Sequence, residues 1–386
     1  MTNIEPFNAK VDQAELDDLN RRLLATRLPA PLPGDDWATG VPTKYLGDLV
    51  SAWTTHDWRA TETKINSFNN FLTEIDGQSI HFVHVRSKEP SATPLLLTHG
   101  WPGSFLEFLD LIGPLTNPTA FGGKASDAFH VVIPSIPGFG FSTPLTSGPW
   151  PSSRIAAAWL ELMSRLEYER FAVQGGDLGA AIAPEVGRAA PDRVIGVHVN
   201  GALGFPSGEV AAEMSPLDQD RMARINEFMQ REAGYIAIQS TRPGLLGSAL
   251  TDSPVGQLAW IVDKLHAWTQ PAEALPDVVL GMDWLLANVS LYWFTRSAGS
   301  AAYVGYASAN GWGAEQTNSQ VPTAAIQFAH DVGIRSAAER SNTIVRWTDV
   351  TESGGHFAAL EEPTQLVADI REFFSDLASA TAAKQR

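Results

Sequence analysis

The chain has 386 residues, 44% of them hydrophobic and 18% charged, an ordinary globular balance with room for one large domain plus an insertion, or for two domains. Its net charge of −16, with no basic cluster to offset it, argues against nucleic acid as a partner. The absence of cysteine excludes disulfides, thiolate metal sites and a cysteine nucleophile.

The first residues, Met1-Thr2-Asn3-Ile4-Glu5-Pro6-Phe7, lack the basic start and apolar core of a signal peptide. No apolar run reaches membrane-spanning length. A soluble, cytoplasmic protein without a membrane span is the expectation. Asp12-Gln13-Ala14-Glu15 reads as a capping box, and Leu16, Leu19 and Leu23 follow at helical spacing until Pro29 ends the helix. A Pro- and Gly-rich loop runs to Asp36. Further helices are expected over Thr43 to Trp53 and Asp57 to Phe68, with Trp37, Trp53 and Trp58 as packing residues. Phe71 to Ile75, Asp76-Gly77 and Ser79 to Arg86 predict a β-hairpin, since Asp-Gly suits a tight primed turn.

From about residue 93 strands and helices alternate. Leu95 to Leu97, His130 to Ile133, Phe171 to Val173 and Val194 to Val199 read as buried strands. Ser104 to Leu111, Ile155 to Leu166 and Ala180 to Val186 read as helices. Continuous apolar strands alternating with helices imply a mostly parallel sheet covered on both faces, an α/β fold. Gly201 to Gln320 breaks this pattern with helical, aromatic-rich sequence, so an inserted helical cap is expected there. Strands resume at Ala324 to Phe328 and Thr343 to Trp347. Leu366, Ile370, Phe373 and Leu377 mark one face of a closing helix. The implied division is an N-terminal extension over 1–92, a core over 93–200 and 321–386, and a cap over 201–320.

Three loops carry candidate chemistry. Gly175-Gly176-Asp177-Leu178-Gly179 joins a strand to a helix with small residues around one carboxylate, the layout of a nucleophile elbow with Asp in place of Ser. Asp177 is then either a nucleophile able to form an ester or simply a helix N-cap. His99-Gly100-Trp101-Pro102-Gly103-Ser104 follows the strand at Leu95 and can fix backbone N–H groups; Trp101 and Leu178 are the expected oxyanion donors. Ser353-Gly354-Gly355-His356-Phe357 follows the last strand, where a base is expected. The chain order of nucleophile, acid and histidine puts the acid at Asp331, with Asp349 and Glu352 as nearby rivals.

Together with the cap segment Gly234-Tyr235-Ile236-Ala237-Ile238-Gln239, these motifs resemble the epoxide hydrolases of the α/β-hydrolase superfamily, on the branch of the microsomal and juvenile-hormone enzymes. The resemblance spans nearly the whole chain. It implies an α/β-hydrolase fold with an N-terminal extension and a helical cap, no cofactor, no metal, and a small-molecule epoxide and water as substrates. It implies that Asp177 attacks an epoxide carbon, that cap tyrosines protonate the epoxide oxygen, and that His356, oriented by Asp331, activates water against the ester. Tyr235 matches the first family tyrosine. The second departs from the pattern: Ser300-Ala301-Ala302-Tyr303-Val304-Gly305-Tyr306 carries Gly305 where a tyrosine belongs, leaving Tyr303, Tyr306 or neither as its substitute. The glycines and alanines there suggest a wide pocket and a bulky substrate. The alternatives are a haloalkane dehalogenase-type hydrolase, which also uses Asp and His, and a catalytically impaired member of the fold that binds ligand. The oligomeric state is left open, a homodimer included.

Overall fold

The computed structural model describes residues 3–201, 203–204, 214–309 and 317–384. Among them a single mixed sheet runs through the molecule, built from β1 (Ile4–Phe7), β2 (Asn70–Ile75), β3 (Gln78–Val85), β4 (Thr93–Thr98), β5 (Phe129–Pro134), β6 (Phe171–Gly176), β7 (Val194–Asn200), β8 (Pro322–Gln327) and β9 (Thr343–Asp349). Their order across the sheet is β1-β2-β3-β5-β4-β6-β7-β8-β9. The first three strands and the β3–β5 junction pair antiparallel; from β5 to β9 every pairing is parallel.

Period-2 alternation explains the core. Leu96 and Val173 point to one face, where they join Trp159, Ile182 and Val186 of the helices Ser152–Arg165 and Leu178–Ala189. Leu95, Leu97 and Ala172 point to the other, against Ile370 and Phe373 of the helix Pro363–Lys384. Both faces of the central strands are dry, so both sets of positions are apolar. Parallel pairing of β4 with β6 aligns Leu95 with Ala172 and Thr98 with Gly175. The two strands therefore end side by side, and the His99 loop meets the Asp177 turn at the carboxyl edge of the sheet, where open α/β sheets hold their ligands.

Between β7 and β8 the described chain is helical: Pro216–Arg231, Gly234–Thr241, Pro243–Asp252, Pro254–Trp268, Met282–Phe294 and Ala298–Ala309. N-terminal residues brace this layer. Trp37 stacks on His266 with ring centroids 3.6 Å apart, the Trp53 indole N–H donates to Ser290 Oγ at 2.8 Å, and Arg22 donates to the Asp252 carbonyl at 2.9 Å. No described helix is long and apolar enough to cross a membrane.

Several local expectations are corrected. β1 was not foreseen: it has four residues, includes Pro6 and shows no in–out alternation, as suits an edge strand. Asp12 begins the helix Gln13–Leu24 without a side-chain cap, and Glu15 pairs with Arg296 (3.1 Å) instead of completing a capping box. Phe105–Leu111 is a 3₁₀ segment, not an α-helix.

Candidate active site

Asp177 sits between β6 and the helix Leu178–Ala189 with φ 53° and ψ −118°. An L-residue is strained there by about 1–3 kcal/mol, so the surroundings must enforce the conformation. They do so by close approach. A Cβ on Gly175 would lie 2.3 Å from the Gly179 carbonyl oxygen, and one on Gly179 would lie 2.0 Å from the Thr98 carbonyl oxygen. Although Asp177 occupies the N-cap position, its side chain caps nothing. It turns into the site, and Oδ1 accepts the Trp101 backbone N–H at 2.8 Å. Gly100 makes this possible: a Cβ there would stand 2.1 Å from the same oxygen.

The other carboxylate oxygen, Oδ2, lies 3.3 Å from His356 Nε2. Burial pushes the Asp177 carboxyl up, but the His356 imidazole and the Trp101 and Leu178 amides outweigh it and hold the group below its ordinary value. His356 responds in the opposite sense. Burial lowers its pKa, and Asp177, Asp331 and Glu107 together raise it above the usual histidine value. The histidine loop is pinned to the cap, since the His356 N–H donates to the Trp268 carbonyl (2.9 Å) and Glu361 accepts from Gln270 N and Phe357 N (both 2.9 Å).

Asp331 is buried behind His356. Its Oδ2 accepts the Phe328 N–H at 2.8 Å. Burial pushes its carboxyl up to about 6, against the pull of the Phe328 amide, His356, Arg221 and Arg224. Its influence on His356 is electrostatic; no direct hydrogen bond joins the two among the described residues. Of the rival acids, Asp349 is held by Arg221 and by the Trp347 indole N–H, and Glu352 is exposed.

On the cap side Tyr235 stacks on Trp101 (centroids 5.1 Å, planes at 14°) and packs edge-on to Trp268, which in turn contacts His356 at 5.0 Å. Burial, then Asp177 and Glu232, raise the phenol pKa, so Tyr235 keeps its proton. Tyr303 lies on the neighbouring helix Ala298–Ala309, partly buried. Tyr306 is on the same helix, but its side chain lies outside the described residues. A Cβ added at Gly305 would meet nothing within 4 Å among the described residues. His99, next to Trp101, is buried; burial lowers its pKa to about 4, and its Nε2 accepts the Ile136 N–H at 3.1 Å, a structural pin.

The first part of the chain, residues 4–108, matches the model of the epoxide hydrolase N terminus, and residues 93–245 match that of the α/β-hydrolase fold. Over 378 residues the chain is 43% identical to a protein of Stigmatella aurantiaca, covering 97% of this chain and 85% of that one. It is 34% identical to epoxide hydrolase 1 of Sus scrofa, covering 96% and 88%. The chain belongs to the epoxide hydrolase family. The solved juvenile hormone epoxide hydrolase of the silkworm Bombyx mori superposes with a TM-score of 0.89 at 28% identity, covering 99% of this chain and 96% of that one.

As an epoxide hydrolase, the chain carries one carboxyl group that sequence reasoning passed over. Glu107, in the 3₁₀ segment after the Trp101 loop, is buried beside Asp177 and His356, and burial pushes its pKa up to about 8. Its signal in the sequence was slight: a lone acid among Phe105, Leu106, Phe108 and Leu109. Among the described residues no group of three or more His, Asp or Glu side chains converges as a metal site would.

Proposed function

We propose that this enzyme hydrolyses epoxides to vicinal diols through an ester on Asp177. The observation that carries the reading is the unequal treatment of the two Asp177 oxygens. Oδ1 accepts the Trp101 N–H, while Oδ2 faces the His356 imidazole; the Leu178 amide helps to hold the carboxyl ionised. A carboxylate that is ionised at neutral pH needs no base to attack carbon. Oδ2 bonds to an epoxide carbon, the C–O bond of the ring breaks, and the leaving oxygen takes the Tyr235 proton. Esterification removes the Asp177 charge, which adds to burial in raising the phenol pKa, so the acid strengthens as the alkoxide forms.

Hydrolysis then needs a base. His356 takes a proton from water, whose oxygen attacks Cγ of Asp177. Negative charge develops on Oδ1, which already accepts the Trp101 N–H, with the Leu178 amide as second donor, an arrangement worth about two to three orders of magnitude per donor. The Cγ–Oδ2 bond breaks, the diol leaves with Oδ2 and takes the second hydrogen of the water, and the imidazolium proton restores the tyrosine. The water oxygen remains in Asp177. Asp331 stabilises the imidazolium from behind. The open space at Gly305 favours a bulky epoxide, with Tyr235 as principal acid and Tyr303 or Tyr306 at most assisting.

The test is a trap. The His356→Gln variant, incubated with an epoxide, should gain the substrate's mass on the peptide containing Asp177. A single turnover of the unmodified enzyme in ¹⁸O-water should give unlabelled diol and labelled Asp177. Label in the first diol, with no adduct on Asp177, would mean direct attack by water and end the ester reading. Halide release from haloalkanes at a rate matching epoxide opening would instead favour the dehalogenase chemistry.

A further inference from the structure

We propose that Glu107 binds the hydrolytic water, holding it in a small core-side cavity between the Asp177 carboxyl carbon and His356. The inference deepens the ester reading and rests on it.

A cavity of about 20 Å³ lies beneath the nucleophile. Gly100, Trp101, Glu107, Asp177, Asn200 and His356 are among the residues around it. Every lining residue lies outside the helices between β7 and β8. A space of this size holds about one water molecule, and a water needs two to four polar partners to stay. His356 and Glu107 supply two. The epoxide, by contrast, must approach from the side of Tyr235, which stands on the cap. Epoxide and water thus reach the Asp177 carboxyl from different sides, which leaves room for the water after the ester has formed.

Glu107 suits this task and has no other visible one. It is buried, and its carboxyl makes no hydrogen bond among the described residues. A buried acid without a partner is costly, so a space that can take a water beside it is a resolution of that cost. The fold makes room for it: a Cβ on Gly103 would sit 2.8 Å from Glu107 Oε2. Tyr292 and Asn288 hold that loop from the cap helix, donating to the carbonyls of Gly103 and Pro102 at 2.8 Å each. Two carboxyls in one site cannot both ionise cheaply. Asp177 is driven down by its amides and His356, while Glu107 has no donor and is pushed up to about 8, so the two separate into an anion and a neutral acid. That division leaves Asp177 as the nucleophile. The neutral Glu107 accepts one water hydrogen through its carbonyl oxygen, the second hydrogen points to His356, and a lone pair is left for Cγ. His356 takes the proton; Glu107 gains and loses none.

The experiment separates the two half-reactions. Quenched-flow intact-mass measurements on the full-length protein follow ester formation and ester decay with one epoxide. In Glu107→Ala, ester formation is expected within about threefold of the unmodified rate and ester decay about 10–100-fold slower, the loss of one oriented hydrogen bond to the reacting water. The adduct should accumulate at steady state. Glu107→Gln keeps an accepting oxygen and should recover part of the rate. Gly103→Ala displaces the carboxyl without removing it and should slow decay in the same selective way, a second route should Glu107→Ala fail to fold. Ester decay at the unmodified rate in both Glu107→Ala and Gly103→Ala overturns the proposal and leaves the ester reading intact. Equal losses in formation and decay also overturn it, because they indicate a merely structural role. Failure to detect any adduct, even in His356→Gln, removes the ester itself and this proposal with it.

Discussion

Two histidine–aspartate pairs stand among the described residues, and their surroundings are opposite in kind. His356 Nε2 lies 3.3 Å from Asp177 Oδ2; His198 Nε2 lies 3.0 Å from Asp369 Oδ2. By pair distance the second is the better contact. Yet the Asp369 carboxylate is closed off: Oδ1 accepts from Arg346 Nε at 2.9 Å, from Arg346 Nη2 at 2.7 Å and from Thr348 Oγ1 at 2.7 Å. Burial pushes that carboxyl up, but His198, Arg346 and Thr348 override it and hold it at about 2. Asp177 has amides on one oxygen, an imidazole to the side of the other, a strained backbone and a cavity alongside. A carboxylate with every lone pair spoken for is fixed in place; one held by half its lone pairs is free to react, as proposed for Asp177.

The sharpest way to break this comparison is to neutralise each aspartate in turn. Asp177→Asn should lower turnover by about four to six orders of magnitude, the scale seen when a covalent nucleophile is removed, with the melting temperature close to the unmodified value. Residual turnover above one part in a hundred would contradict the role proposed for this residue. Asp369→Asn should do the reverse. Activity per folded molecule stays within about threefold, while stability falls by about 3–5 kcal/mol, because Arg346 loses its buried partner. The pH dependence gives a second reading of the same pair. A carboxyl with a depressed folded-state pKa stabilises fully above the unfolded value near 4 and loses that contribution as pH falls toward about 2. The deficit of Asp369→Asn in denaturant titrations should therefore close between about pH 4 and pH 2. A deficit that persists unchanged there would show that lost packing, not charge, sets the cost.

Tyr235 sharpens the contrast within the active pair. It contacts the site from the cap, through Trp101 and Trp268, and is proposed to act on the epoxide oxygen alone. Tyr235→Phe should slow ester formation by about 10–150-fold, equivalent to about 1.5–3 kcal/mol for a hydrogen bond to a charged oxygen, and leave ester decay within about threefold. Transient kinetics on the two steps checks this. Equal slowing of both would place the phenol in the hydrolytic half instead. Gly305→Tyr, built into open space, should partly restore ester formation in the Tyr235→Phe background with small epoxides and should exclude bulky ones.

The fold was legible because apolar strands at Leu95, Phe171 and Val194 are buried on both faces and read as unbroken runs. The elbow was legible because its glycines are dictated by contacts under 3 Å, which no other residue tolerates. Less was legible where function depends on depth rather than pattern. Glu107 shares its spacing with surface acids, and only the tertiary fold buries it beside His356. The cap helices Gly234–Thr241 and Pro243–Asp252 are short, interrupted by Arg242 and Pro243, and carry no clean apolar stripe, so their limits came from the structure. His198 and Asp369, 171 residues apart, carry no motif at all.

The smallest expected effect is a displacement between two pH profiles, and it follows from the same electrostatics. In the resting enzyme burial lowers the His356 pKa, and Asp177 and Asp331 raise it to a net value above the ordinary one, Glu107 adding to them only where it ionises. The imidazole of the resting enzyme therefore keeps its proton to higher pH than an ordinary histidine. Esterification discharges Asp177, the strongest of the three raising influences, and the imidazole pKa must fall. Ester hydrolysis, which needs neutral His356, should then persist to more acidic pH than the resting histidine titration allows. Ester formation needs ionised Asp177, whose pKa is held below its ordinary value, so its acid limb lies lower still. Ester decay measured from about pH 5 to about pH 9, set beside an NMR titration of His356 in the resting enzyme, decides the matter. Midpoints that coincide would mean that Asp177 does not govern His356, and the pair at 3.3 Å would be no more coupled to chemistry than the one at 3.0 Å.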